Sequence, residues 1–208
     1  EPIGLYIHVP FCTQKCPYCD FYSLTDTKQM NGYTNCIINR LYTYRKAVGR
    51  DADTLYFGGG TPSTLGANRL CSIIDVAKNC FGLERAEITV EVNPSGQLEA
   101  LLDALAQKGV NRISIGMQSA HAEELDLLGR KHTAKQAEMA VMAAHRAGIA
   151  NVSMDLMVGI QKQTEQSLKE SIAFWHNAGA SHISAYLLKV EPNTPYGKQQ
   201  NTLILLDD

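Results

Sequence analysis

The chain reads as an α/β protein with a six-stranded parallel sheet, and three observations predict it. Short β-type runs alternate with helix-like stretches from one end to the other, which calls for parallel strands joined by helical crossovers. A helix-end, glycine, strand unit recurs at 108–115, 147–154 and 178–185, as KGVNRISI, AGIANVSM and AGASHISA. In three of the runs, apolar and polar residues alternate strictly.

In order, Ile3 to Val9 is an apolar run and a first strand. Tyr33 to Val48 suits a helix, Asp53 to Phe57 a second strand, and Leu70 to Cys80 has apolar residues at helical spacing. Glu87 to Asn93 alternates as a third strand, followed by a helix over Leu98 to Gln107. Strands near Arg112, Asn151 and His182 complete six, with helices after at least the first five. Gly109, Gly148 and Gly179 close the preceding helices, because glycine accepts the left-handed conformation that ends them.

Alternation alone leaves two architectures, an open doubly wound sheet or a barrel. The strand faces bear on that choice. Ile113, Ile115 and Met117 oppose Ser114, Gly116 and Gln118; Val152, Met154 and Leu156 oppose Ser153, Asp155 and Met157; and Ile88, Val90 and Val92 oppose Thr89, Glu91 and Asn93. A parallel sheet covered by helices on both sides is apolar on both. One polar face predicts a sheet that curls around a cavity, with Glu91, Gln118 and Asp155 at the carboxyl ends where ligands bind.

The densest chemistry lies just past the first strand. Cys12, Cys16 and Cys19 have the spacing C-x3-C-x2-C. A closed zinc site wants four ligands, and no fourth stands nearby, since Asp20 follows Cys19 and His8 is expected to point into the cavity. Iron–sulfur cubanes normally take four thiolates, so three leave one iron open to a chelating small molecule. Gly58-Gly59-Gly60-Thr61-Pro62 follows the second strand; by itself it is a tight turn, and beside the cysteine loop it permits close backbone approach to a ligand. Arg130, after a short helical piece, reads either as a solvated surface arginine or as one that meets a carboxylate. The remaining histidines lack metal-ligand spacing, and Trp175 with Ile172 reads as helix packing.

Nineteen basic and twenty-one acidic residues give a net charge of −2 in 208 residues, with no Lys/Arg block, so binding to nucleic acid is not expected. No run is long and apolar enough for a transmembrane segment. Clustered, otherwise unpaired thiols fit a reducing compartment, and a cytoplasmic chain is expected. The start at Glu1 and the apolar run Leu203 to Leu206 near the end suggest a core excised from a longer protein.

Together the cysteine loop with Tyr6-Ile7-His8-Val9-Pro10-Phe11 before it, Gly58 to Ser63, Glu91-Val92-Asn93-Pro94, Ser114 to Ser119, Leu128-Gly129-Arg130 and Asp155-Leu156-Met157 resemble the radical S-adenosylmethionine (SAM) proteins. More narrowly they resemble the group of oxygen-independent coproporphyrinogen III oxidases and heme chaperones. The resemblance implies a partial (β/α)6 barrel with outer helices. Cys12, Cys16 and Cys19 would hold a [4Fe-4S] cluster, and SAM would chelate its fourth iron. In such proteins an electron from the cluster cleaves SAM, and the resulting radical takes hydrogen from a substrate. By the same resemblance, SAM would be contacted by Tyr6, Tyr18, Gly59, Gly60, Thr61, Glu91, Gln118, Arg130 and Asp155, and by the backbone near Lys189.

Within the group, the oxidase branch has a further Cys two positions after the third and a longer N-terminal region. Here Phe21 stands at that position and eleven residues precede Cys12, which resembles the heme-chaperone (HemW) branch. That branch implies heme as cargo, recipient hemoproteins, and an electron donor for the cluster. The alternatives are oxidative decarboxylation of coproporphyrinogen III propionates and a zinc-stabilised α/β barrel. Two departures are visible. Gly159-Ile160-Gln161-Lys162-Gln163-Thr164 replaces the usual GLPxQT, and the family's C-terminal domain, with its heme-binding histidine motif, is absent from residues 1–208, which read as one radical SAM core domain.

Overall fold

Six strands form one parallel sheet in simple sequential order: β1 (Ile3–Val9), β2 (Ala52–Gly59), β3 (Glu87–Val92), β4 (Arg112–Gln118), β5 (Asn151–Val158) and β6 (His182–Leu187). Every neighbouring pair is parallel, and β1 and β6 are its edges. The computed structural model describes residues 3–199, so the chain start and the apolar run Leu203 to Leu206 lie outside the described residues.

Helices α1 (Met30–Val48), α2 (Ala67–Phe81), α3 (Glu99–Gln107), α4 (Ala122–Leu127), α5 (Ala134–Arg146) and α6 (Glu165–Asn177) cross from each strand to the next, and α7 (Pro195–Lys198) follows β6. Two helices begin three residues earlier than their apolar spacing indicates. The first turns of α1 and α2 are largely polar or small and carry no periodicity to read. The crossover from β4 to β5 is double, α4 and then α5, and α5 opens on a reciprocal Thr133–Gln136 capping box. Gly109, Gly148 and Gly179 follow the cap residues of α3, α5 and α6 at φ 88°, 88° and 82°, the conformation expected of them.

The two faces of the sheet differ as alternation predicts. Ile88, Val90, Val92, Ile113, Ile115, Met117, Val152, Met154 and Leu156 are buried, and they pack with Leu70, Ile73 and Ile74 of α2, Leu102 and Leu105 of α3, and Val141 of α5. Burying each such side chain contributes about 1.5–3 kcal/mol. The opposite face is satisfied by polar contacts instead. Ser153 Oγ, fully buried, lies 2.8 Å from His182 Nδ1 and 3.3 Å from Ser184 Oγ. Helices therefore cover one face only, and the sheet curls into an unclosed partial barrel around the other. Among the described residues no helix is long and apolar enough to cross a membrane.

Candidate functional site

The cysteine loop is pinned at its base. Phe11 is buried against the edge of the Tyr33 ring, with centroids 5.3 Å apart at 88°. Cys12 N–H donates to Leu24 O at 2.9 Å and Leu24 N–H to Pro10 O at 2.6 Å, drawing residues 12–24 into a closed loop. From β2, Gly60 N–H reaches Val9 O at 2.8 Å and Thr61 N–H reaches Phe11 O at 2.8 Å. The glycine-rich turn is thus a tie that fixes where the first thiol sits.

That tie leaves no room for a side chain. A Cβ at Gly60 would stand 2.9 Å from Phe11 O and Val9 O and 3.1 Å from Cys12 Sγ. Gly60→Ala is therefore expected to displace the Cys12 limb and to lower iron uptake on anaerobic reconstitution severalfold, while far-ultraviolet circular dichroism stays native.

All three thiols line one cavity of about 560 Å3, at the carboxyl ends of the strands. Thr61 Oγ1 donates to Cys12 Sγ at 3.6 Å and Arg130 Nη1 to Cys16 Sγ at 3.9 Å, so each of these sulfurs already has a donor beside it. Burial pushes the Cys19 thiol up, and repulsion from Cys16 and Cys12 adds to it. Three crowded sulfurs of this kind are relieved by a positive centre among them. Among the described residues no three His, Cys, Asp or Glu side chains converge as ligands of a single metal ion. A cubane binds each thiolate to a different iron, so thiols spread around one pocket suit it better than a zinc site does.

Of the thirteen residues the sequence nominates, twelve line this cavity: the three cysteines, Tyr18, Gly59, Gly60, Thr61, Glu91, Gln118, Arg130, Asp155 and Lys189. Tyr6 does not. Its ring is 60 % exposed and stacks on Tyr56 at 6.0 Å, and Tyr56 in turn donates to Glu91 Oε1 at 2.7 Å. His8 does not line the cavity either; its Nε2 is 2.9 Å from Tyr22 O, and its ring lies where a Gly59 Cβ would be. The Lys189 side chain is 80 % exposed and paired at 2.8 Å with Glu191, which also lines the cavity. The sequence reading passed over Tyr186, which also lines the cavity; extending the alternation into β6 would have put it with Ser184 on the polar face.

The lining is short of donors. Burial raises the Glu91 carboxyl, against bonds from Tyr56 and the Gly59 backbone. Burial also pushes Asp155 up to about 6, although Ser114 Oγ donates to it at 3.1 Å. Gln118 Oε1 is buried with no hydrogen-bond partner among the described residues, as is Arg130 Nε. Two half-buried carboxylates and an orphaned carbonyl call for a ligand rich in N–H and O–H groups, while Arg130 calls for an acceptor. An amino acid joined to a ribose supplies both.

The loop after β5 shows how the chain manages without proline. Gln163 N–H bonds Ile160 O at 2.9 Å across a turn whose third residue, Lys162, has φ 65°. Proline at position 161 would pre-set such a turn. With Gln161 there, the buried Gln163 side chain does the ordering: its Oε1 accepts from Gly159 N at 2.7 Å and its Nε2 donates to Met157 O at 3.0 Å.

The profile described as the radical SAM superfamily matches residues 6–174. The chain belongs to the radical SAM superfamily. Among similar proteins are a heme chaperone HemW from Escherichia coli strain K12, 39% identical over 97% of this chain and 54% of its own length, and one from Bacillus subtilis strain 168, 34% identical over 92% and 52%. The chain thus spans about half the length of these relatives. The radical SAM coproporphyrinogen III oxidase HemN of Escherichia coli superposes with a TM-score of 0.88 over 99% of this chain and 49% of its own, at 24% identity. The cobalamin- and [4Fe-4S]-bound methyltransferase TsrM from Kitasatospora setae superposes at 0.70 over 93% and 38%, at 17% identity. These two likenesses establish the radical SAM fold.

Proposed function

We propose that this chain is the radical SAM core of a heme chaperone, which holds a [4Fe-4S] cluster and SAM and passes heme to recipient hemoproteins. The observation that carries the reading is the 39% identity to a heme chaperone across nearly the whole chain, beside only 24% to the porphyrinogen oxidase. Phe21 in place of a fourth clustered cysteine agrees with it. Residues 1–208 would act as one core domain of a cytoplasmic protein, served by an electron donor.

In this reading Cys12, Cys16 and Cys19 hold the cluster and leave one iron for SAM. Glu91 and Asp155 accept from the ammonium or ribose hydroxyls, Gln118 Oε1 takes the donor it lacks, and Arg130 offers its guanidinium to a carboxylate or to cluster sulfur. Tyr18 and the Gly59-Gly60-Thr61 backbone enclose the ligand, with the Lys189 backbone closing the rim. The bound pair supplies one-electron chemistry.

The second reading is oxidation of coproporphyrinogen III, favoured by the close superposition on the oxidase. Heme titration of the full-length protein, beside an anaerobic assay for protoporphyrinogen, separates the two. Stoichiometric heme binding without product is expected; turnover without heme affinity would overturn the chaperone reading.

A further inference from the structure

The two non-glycine residues with positive φ among those described are Gln118, at 69°, and Lys162, at 65°. Each immediately precedes a residue that donates to the same buried carboxylate. Ser119 Oγ gives its proton to Glu124 Oε2 at 2.6 Å and Gln163 Nε2 donates to that oxygen at 3.2 Å, while Ser167 Oγ donates to Oε1 at 2.5 Å. Glu124, Ser119 and Gln163 are at most 4 % exposed. No cation faces the carboxylate in these contacts; neutral donors from the end of β4, the loop after β5 and the first turn of α6 satisfy it.

We infer that Glu124 is a positioning residue for the cavity, acting through the corner at Gln118. The backbone there makes a three-residue turn, with Ser119 N–H on Met117 O at 3.0 Å. With positive φ at its centre this is the rare, strained hand, which persists only when its surroundings over-determine it. Two contacts do so: His132 Nε2 holds Met117 O at 2.9 Å, and Glu124 holds the Ser119 hydroxyl. The turn interrupts the β4–β5 register and brings Gln118 to the cavity wall, its Oε1 buried there without a protein partner. Without the Glu124 clamp the corner relaxes toward ordinary strand geometry and the amide leaves the cavity.

The inference rests on the cavity's being a SAM site, and its test compares two serines that each give one bond to the same carboxylate. In the full-length, anaerobically reconstituted protein, Ser119→Ala, at the Gln118 corner, is expected to raise the Kd for SAM by about fivefold or more. Ser167→Ala, on α6, should change it by less than about twofold. Iron content should stay at the wild-type level in both. Equal effects of the two, or none, would overturn the proposal. A second measurement needs no SAM. Gln118→Gly removes the strain, so the loss of melting temperature caused by Ser119→Ala should shrink in that background. Additive losses would overturn the clamp. Should wild type bind no SAM while this coupling is present, the cofactor reading fails and the clamp stands.

Discussion

Cys16→Ala is expected to abolish cluster assembly. Two thiolates leave two irons without protein ligands, and a cubane is normally held by four. Cys16 also receives the Arg130 guanidinium, so the variant loses one of the contacts, beside Gln14 Nε2 to Gly129 O, that tie the loop to the segment after α4. Iron and sulfide should fall to near background after anaerobic reconstitution, and the visible cluster absorption should vanish. Cys36→Ala, which removes an exposed thiol on α1, is the control and should keep both. Full iron in Cys16→Ala would refute the assignment, and zinc without iron in the wild type would restore the structural-metal alternative.

Asp155→Asn is expected to stabilise the ligand-free protein at neutral and alkaline pH while weakening SAM binding. Burial raises this carboxyl from its ordinary 3.8 to about 6, with Glu91 adding repulsion. Well below its ordinary value of 3.8 it is protonated whether the chain is folded or not, and it contributes no difference. As pH climbs toward 6 the unfolded chain gives up its proton more readily, so stability falls across that window and stays lower above it. The shift corresponds to about 3 kcal/mol at most. The neutral amide escapes that cost. The melting temperature of Asp155→Asn should therefore exceed wild type by several degrees at pH 8, the gap narrowing as pH falls from 6 and closing below 3.8. A lower melting temperature at pH 8 would contradict it. The Kd for SAM should rise about tenfold or more, because an amide interacts far less strongly with an ammonium than a carboxylate does.

Both expectations turn on residues the sequence nominates, and there is a physical reason why local reading could group them on one cavity. Parallel strands alternate their side chains with a period of two, so Glu91, Ser114 and Asp155 are assigned to one face without knowledge of their neighbours. Glycine after a helix is equally local, and so are tight cysteine spacings. Where the signal was an arrangement between distant segments, local reading stopped. Tyr6 shares the polar face yet stacks on Tyr56 outside the cavity, because the position of β1 at the sheet edge is set by pairing. Glu124 has the look of a solvated helix residue in Ala122-Glu123-Glu124, and only packing against the loop after β5 and α6 buries it.

The sequence by itself determined the α/β class, the six strands, the polar inner face and the three-thiol loop, since periodicity and spacing are properties of the chain alone. The tertiary structure decided that Arg130 reaches Cys16 across 114 residues and that Tyr6 stays off the cavity. It also decided that two strained corners share one buried carboxylate. Such facts depend on which segments meet, and in a parallel fold neighbouring segments are joined through long crossovers, as Gln163 and Ser167 reach Glu124 from 39 and 43 residues away.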